Sequence, residues 1–177
     1  MQVLDIVPQS NFKRSIKRNK PTCVISIRDP FDRRGFGHSG KLSRPPFIFG
    51  LLTIPKLALV FEDVNHDIDE NAPNRNHIQQ IIDFARANKD GSLVVHCWAG
   101  QCRSSAAAAI CQIANGRDPK ATFEDLTSRF PQIWPNPLMM EIAQQILGRT
   151  DIMKEYLDMT GIWQHLYDKR NGFLFRE

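Results

Sequence analysis

The chain is predicted to adopt an α/β fold, a central, mostly parallel sheet flanked by helices. Three observations predict it. Thr22–Ile27 is β-branched and apolar without alternation, the pattern of a parallel strand buried on both faces. Strand-like runs crowd the first half of the chain and helical periodicity dominates the second, which is the ordering of a layered α/β sandwich. Between the two, the apolar run Ser92–Val95 leads through His96-Cys97-Trp98-Ala99-Gly100-Gln101-Cys102-Arg103-Ser104 into the alanine-rich stretch Ser105–Ile110. A loop so placed sits at the carboxyl end of a central strand, where open α/β sheets bind ligands.

The elements follow in order. Val3–Val7 alternates and reads as an edge strand ended by Pro8, and Gln9–Asn19 as a short basic helix. After the buried strand Thr22–Ile27, Arg28–Gly40 carries Pro30, Gly35, Gly37 and Gly40 and reads as a long loop, a feature often tied to function. Pro46–Leu51 and Leu57–Phe61 are further strand candidates. Asn74–Asn88 has Ile78, Ile81, Ile82 and Ala85 at helical spacing. Leu93–His96 is a strand, and Arg103–Asn115 is the helix behind the loop. Asp118-Pro119 pairs an N-cap with proline at the first helical position and opens a helix to Arg129. Asn136-Pro137 repeats that signal for a helix ending near Gly148. Residues 151–168 read as helical, with the last few loose.

A length of 177 residues is read as one domain, 1–177, large enough for a real core. The 42% apolar and 24% charged content is that of an ordinary soluble protein. Phe47–Phe61 is the most apolar stretch, but Gly50, Thr53, Pro55 and Lys56 interrupt it, so no membrane span is expected. The N-terminus lacks a basic segment leading into an apolar run, which argues against a signal peptide. Four cysteines are too few for a disulfide scaffold, and a reducing cytoplasm is the expected location. Cys97 and Cys102 have no second pair, so zinc is not expected, nor any other metal or cofactor. The net charge of +4 is uneven: Lys13, Arg14, Lys17, Arg18 and Lys20 form a run without acids, and Glu62, Asp63, Asp67, Asp69 and Glu70 a run without bases. The basic run reads first as a solvated helix face and second as a surface for anionic partners. No aromatic interleaving marks a nucleic-acid platform, so nucleic acid is not the expected partner.

Backbone N–H groups at a strand–loop–helix corner point inward, and the helix dipole adds partial positive charge, so the loop suits a phosphate. A thiol held in such a loop ionises readily. Cys97 is therefore the candidate nucleophile, against the alternative of a buried structural thiol. Arg103 offers a planar fork for two phosphoryl oxygens, a geometry lysine lacks. The N–H groups of Trp98, Ala99, Gly100, Gln101, Cys102 and Arg103 are the expected phosphate cradle, with Gly100 giving freedom to turn. Ser104 is a candidate hydrogen-bond donor to the Cys97 sulfur and a candidate helix N-cap, two roles that can coexist. His96 precedes the nucleophile, and adjacent strand side chains point to opposite faces. It is expected to bond backbone and hold the loop's shape rather than to move the proton.

The residues at 96–104 resemble the His-Cys-x-x-Gly-x-x-Arg-Ser signature of cysteine-dependent protein tyrosine and dual-specificity phosphatases, with every fixed position present. Weaker echoes at 24–27 (Val-Ile-Ser-Ile), 61–64 (Phe-Glu-Asp-Val) and 135–149 (Pro-Asn-Pro to Ile-Leu-Gly-Arg) look like the small bacterial branch of that superfamily. The resemblance spans residues 21–150 and is absent from the first 20 and from the tail after Thr150. It implies hydrolysis of phosphate monoesters on a phosphorylated protein or peptide, at tyrosine or with dual specificity, through a phosphocysteine intermediate. It also implies a general-acid aspartate on a separate upstream loop. Asp63 lies 34 residues before Cys97, just after the strand Leu57–Phe61, and fills the second acidic position of a Phe-acid-Asp-hydrophobe pattern. Asp67 is its main competitor, then Asp69, while Glu62 is expected to face elsewhere. The same carboxylate, once deprotonated, can activate water.

The loop positions Trp98, Ala99, Gln101 and Cys102 include no lysine. Phosphoinositide phosphatases of the superfamily commonly carry basic residues there, so a highly charged inositol head group is less favoured. Trp98 either lines the mouth of the pocket or packs on the strand beneath. Cys102 is the nearest candidate for a regulatory disulfide with Cys97, Cys23 is a second if its strand neighbours the catalytic one, and Cys111 reads as core. An RNA 5′-phosphatase or other non-protein phosphatase would use the same loop, and a phosphate-binding pseudophosphatase is the non-enzyme alternative.

Overall fold

The computed structural model describes residues 1–30, 47–67 and 70–160. Four strands, β1 (Gln2–Pro8), β2 (Cys23–Arg28), β3 (Lys56–Val60) and β4 (Ser92–Cys97), form one sheet in the order β1-β4-β2-β3. All three pairings are parallel, with Cys23 opposite Leu93 and Pro8 opposite Cys97. The expected sheet is thus wholly parallel among the described residues, with β1 at one edge and β4 inside. The two central strands are buried throughout except Arg28 and Ser92, as their unbroken apolar sequence requires. A register shift between Val3 and Asp5 in β1 lets Val3 and Ile6 join the same core, which strict alternation forbids.

Helices cover both faces. The larger core joins Leu93, Val95 and Cys97 of β4 to helices α3 (Arg75–Ala87), α4 (Arg103–Ala114), α5 (Pro119–Arg129), α6 (Pro137–Leu147) and α7 (Asp151–Thr160). On the opposite face Val94 and Val24 meet Phe12 and Ile16 of α1 (Phe12–Asn19) and Phe49 of α2 (Phe47–Leu51). Ala106, Ala107, Ala108 and Ala109 are fully buried, and their small side chains let α4 lie close to the sheet and to its neighbours. The N-caps read from sequence at Asp118 and Asn136 accept the N–H of Ala121 at 3.0 Å and of Met139 at 3.0 Å. Asn74 adds a capping box with His77, and Gly148 ends α6 at φ 65°.

One element differs from expectation. The sequence favours a strand over Pro46–Leu51, but residues 47–51 are helical. Local propensity favours a strand there, and tertiary contacts override it. Phe49 is buried with its ring 6.4 Å from that of Phe12. The Lys56 ammonium donates to the carbonyls of Phe49 (3.3 Å), Gly50 (3.4 Å) and Leu52 (3.0 Å), satisfying the helix's last acceptors. Of the expected loop Arg28–Gly40, Arg28 completes β2 and residues 31–40 lie outside the described residues, as do Asp69 and residues 161–168 of the C-terminal helix. No helix among the described residues is long and apolar enough to cross a membrane.

Candidate active site

β4 ends at Cys97 and α4 begins at Arg103, so the intervening loop turns at the carboxyl edge of the sheet. Two contacts fix its path. The Gln9 N–H donates to the Trp98 carbonyl at 3.2 Å, tying the loop to the end of β1. Gly100 adopts φ 71°, and a Cβ there would lie 2.3 Å from the Pro8 nitrogen and 2.4 Å from the Val7 carbonyl carbon. Only glycine satisfies both demands. The Ser105 hydroxyl bonds the carbonyls of Gln101 and Cys102, closing the last turn of the loop onto α4.

The Cys97 thiol, 1% exposed, points into this curl. Its Sγ accepts the Gly100 N–H at 3.2 Å and lies 3.2 Å from the Ser104 hydroxyl. The first intrahelical bond runs from Ala106 N–H to the Cys102 carbonyl at 3.0 Å. The N–H groups before it, of Arg103, Ser104 and Ser105, thus have no partner within the helix and stand at its positive end.

Arg103 is 3% exposed. Its Nη1 donates to the Phe61 carbonyl at 2.6 Å and lies 3.1 Å from Asp29 Oδ1, whose side chain is 4% exposed. Its Nε is buried without a hydrogen-bond partner among the described residues. That orphan donor is costly where it stands unless a ligand oxygen meets it. Asp63 approaches from the other side, with Oδ2 3.8 Å from Arg103 Nε and its side chain 30% exposed. Its Oδ1 accepts from Asn136 Nδ2 at 2.9 Å.

The geometry therefore brings together Cys97, Ser104, Arg103 and Asp63, all expected from sequence. Asp67 is exposed, and its charge acts on Glu141 of α6, which burial chiefly holds above the usual carboxylate range. His96 lies on the opposite face from Cys97, as strand alternation requires. Its ring packs on that of Phe12, centroids 4.3 Å apart, and the backbone group that acts on it is that of Cys97. Burial pushes its imidazole down to about 4, partly offset by the Cys97 backbone and reinforced by Arg28 and Arg103. Trp98 is 42% exposed and does not join the core.

Of the thiols, Cys102 is pushed up to about 12 by burial and by the neighbouring Asp63 and Cys97. A protonated thiol attacks an oxidised sulfur slowly. Cys23 sits beside Leu93, four residues down β4 from Cys97. At ~3.3 Å per residue that is roughly 13 Å, beyond the ~7 Å limit for a disulfide. Cys111 is fully buried, and Cys23 is among the charges that act on it.

Sequence reading missed four residues. Asp29 directly follows the buried strand β2, and an acid at the carboxyl end of a strand beside the catalytic one is a signal that was available. The Phe61 carbonyl has no sequence signature. Asn136 was legible only as a helix cap. Trp134 is 46% exposed, and its N–H donates to the Gln101 carbonyl at 3.2 Å, so a second tryptophan flanks the loop.

No protein-family model and no curated protein matches the chain. Solved structures do. Human DUSP28 matches over 80% of this chain and 89% of its own, with a TM-score of 0.54 and 15% identity. The human tyrosine phosphatase-like serine/threonine/tyrosine-interacting protein matches over 80% and 85%, with a TM-score of 0.56 and 18% identity. PTPMT1, in a complex with PI(5)P, matches over 90% and 93%, with a TM-score of 0.53 and 17% identity. At these identities the likeness is one of fold, and the chain shares the fold of these structures, the α/β fold expected from its sequence.

Proposed function

We propose that the chain is a cysteine-dependent phosphatase that hydrolyses phosphate monoesters on proteins, at tyrosine or with dual specificity. One observation carries the reading. A buried thiol accepts a backbone N–H inside a helix-capping loop, while a buried arginine with an orphan Nε stands between that loop and an aspartate. Cys97 Sγ forms the S–P bond as the bond from phosphorus to the leaving oxygen breaks, and Asp63 gives its proton to that oxygen. Arg103 and the loop N–H groups hold the other phosphoryl oxygens. Asp29 and the Phe61 carbonyl engage Nη1, which leaves the remaining edge of the guanidinium for phosphate. In the second step the Asp63 carboxylate takes a proton from water, and the water oxygen attacks phosphorus. The P–S bond breaks as the Ser104 hydroxyl donates to the departing sulfur. Inorganic phosphate leaves and the thiolate is restored.

The uncharged loop positions 98, 99, 101 and 102 favour a singly phosphorylated peptide over a polyphosphorylated head group. Hydrolysis of para-nitrophenyl phosphate, unchanged by EDTA, tests the activity. Cys97→Ser should abolish turnover while vanadate or phosphate binding persists, because the N–H groups and Arg103 remain and a hydroxyl ionises far less readily than a thiol. Near-wild-type turnover in that variant sinks the assignment. Phosphopeptides, phospholipids and triphosphorylated RNA compared side by side test the substrate class.

A further inference from the structure

We infer that Asn136 is a positioning residue for the proton transfer, holding Asp63 so that its acidic proton sits on Oδ2, the oxygen facing Arg103. The inference rests on the phosphatase reading above. Asn136 is 1% exposed, and all its polar atoms are committed. Its side-chain Oδ1 accepts the Met139 N–H at 3.0 Å. Its main-chain carbonyl accepts the Met140 N–H at 3.2 Å, and its own N–H donates to the Cys102 carbonyl at 3.2 Å. Its Nδ2 faces Asp63 Oδ1 at 2.9 Å, the Val64 carbonyl at 3.0 Å and Asn65 Oδ1 at 3.4 Å.

The amide has one workable orientation. Oδ1 meets a donor and Nδ2 meets three oxygens, so turning the group over sets oxygen against oxygen and N–H against N–H. A carboxyl group about to donate has one O–H and one carbonyl oxygen. The oxygen already accepting from Asn136 is the carbonyl one, so the O–H falls to Oδ2. That oxygen lies 3.8 Å from Arg103 Nε, on the side where phosphate binds in the proposed reaction. After transfer the carboxylate keeps the Asn136 bond on Oδ1 and presents Oδ2 to the attacking water. The same asymmetry serves both half-reactions.

Asn136 also ties two loops to one rigid support. Through Cys102 it holds the nucleophile loop, and through Asp63 and Val64 the acid loop. Its own helix is anchored by Met139, Met140 and Ala143, all fully buried. Catalytic groups held this way meet the substrate already oriented, which lowers the entropic part of the barrier.

The test compares phenyl phosphate, whose leaving group needs the proton, with para-nitrophenyl phosphate, which needs it less. Asn136→Ser keeps an N-cap acceptor but is too short to reach Asp63. Asn136→Asp keeps the cap and the shape but sets an oxygen against Asp63, and serves if the serine variant folds poorly by its urea midpoint. Either should lower kcat on phenyl phosphate roughly 10- to 100-fold, the scale of a hydrogen bond to a charged group. KM should change little, and the fall with para-nitrophenyl phosphate should be much smaller. In an Asp63→Asn background, Asn136→Ser should add no further leaving-group selectivity. Equal losses with both substrates, no loss, or additive losses in the double variant mean that Asn136 only caps its helix, and overturn the inference. If the wild type hydrolyses neither substrate, the phosphatase reading itself fails and takes this one with it.

Discussion

A side chain's chemistry depends on what it touches, and Asp63 touches the amide of Asn136 and the guanidinium of Arg103. Asp67, four residues on, is exposed and acts instead on Glu141. Asp63→Asn should therefore lower kcat on aryl phosphates roughly 10²- to 10⁴-fold, the usual range for a lost general acid. A large loss in Asp67→Asn with none in Asp63→Asn shifts the role to the other carboxylate. The nucleophile loop was legible because its residues are contiguous, and Asp63 because a strand end and a family pattern coincide. The engagement of Arg103 by Asp29 was not. The two lie 74 residues apart, and nothing short of the β2–β4 pairing brings them together.

Elements were legible where burial on both faces left its mark. All four strands fall within one residue of the runs that predicted them, and for the central pair, β2 and β4, the reason is that a strand buried on both faces tolerates little but apolar residues. The helix Phe47–Leu51 has the local sequence of a strand, and its conformation is set by Phe12 and Lys56, distant groups that local propensity ignores. The strand–loop–helix unit makes its own prediction through Gly100. A methyl group there collides with the backbone of Val7 and Pro8, and φ 71° adds strain for any other L-residue. Gly100→Ala should displace the loop and lower kcat/KM by on the order of 10²-fold, as misplacements near 1 Å do. A variant that keeps full activity would mean the loop has slack that the close contact denies.

At the scale of the whole molecule, the apolar face beneath α1 holds an imidazole that stability depends on. His96 is fully buried and held down to about 4, against about 6.5 when exposed in the unfolded chain. The unfolded state therefore binds the proton first. This contribution to stability is complete above about pH 6.5 and is lost as pH falls towards about 4, an order-of-magnitude loss of about 3 kcal/mol. Urea midpoints should fall between pH 7 and pH 4.5. The fall should be smaller in His96→Leu, which fills the space against Phe12 and carries no titratable group. An unchanged pH dependence in that variant assigns the acid sensitivity to other groups.

The nucleophile loop leans on the first strand of the chain, through Val7, Pro8 and Gln9. The site is in that sense divisible: Cys97 and the ledge beneath it come from opposite ends of a long stretch of chain, joined side by side only in the sheet. A chain beginning at Pro21 should be inactive by itself, since the loop then faces solvent where β1 lay. Supplying residues 1–20 as a separate peptide should restore hydrolysis in proportion to occupancy of the vacant sheet edge. A peptide with residues 2–8 scrambled should restore none. Such a pair would report association of its halves as phosphate released.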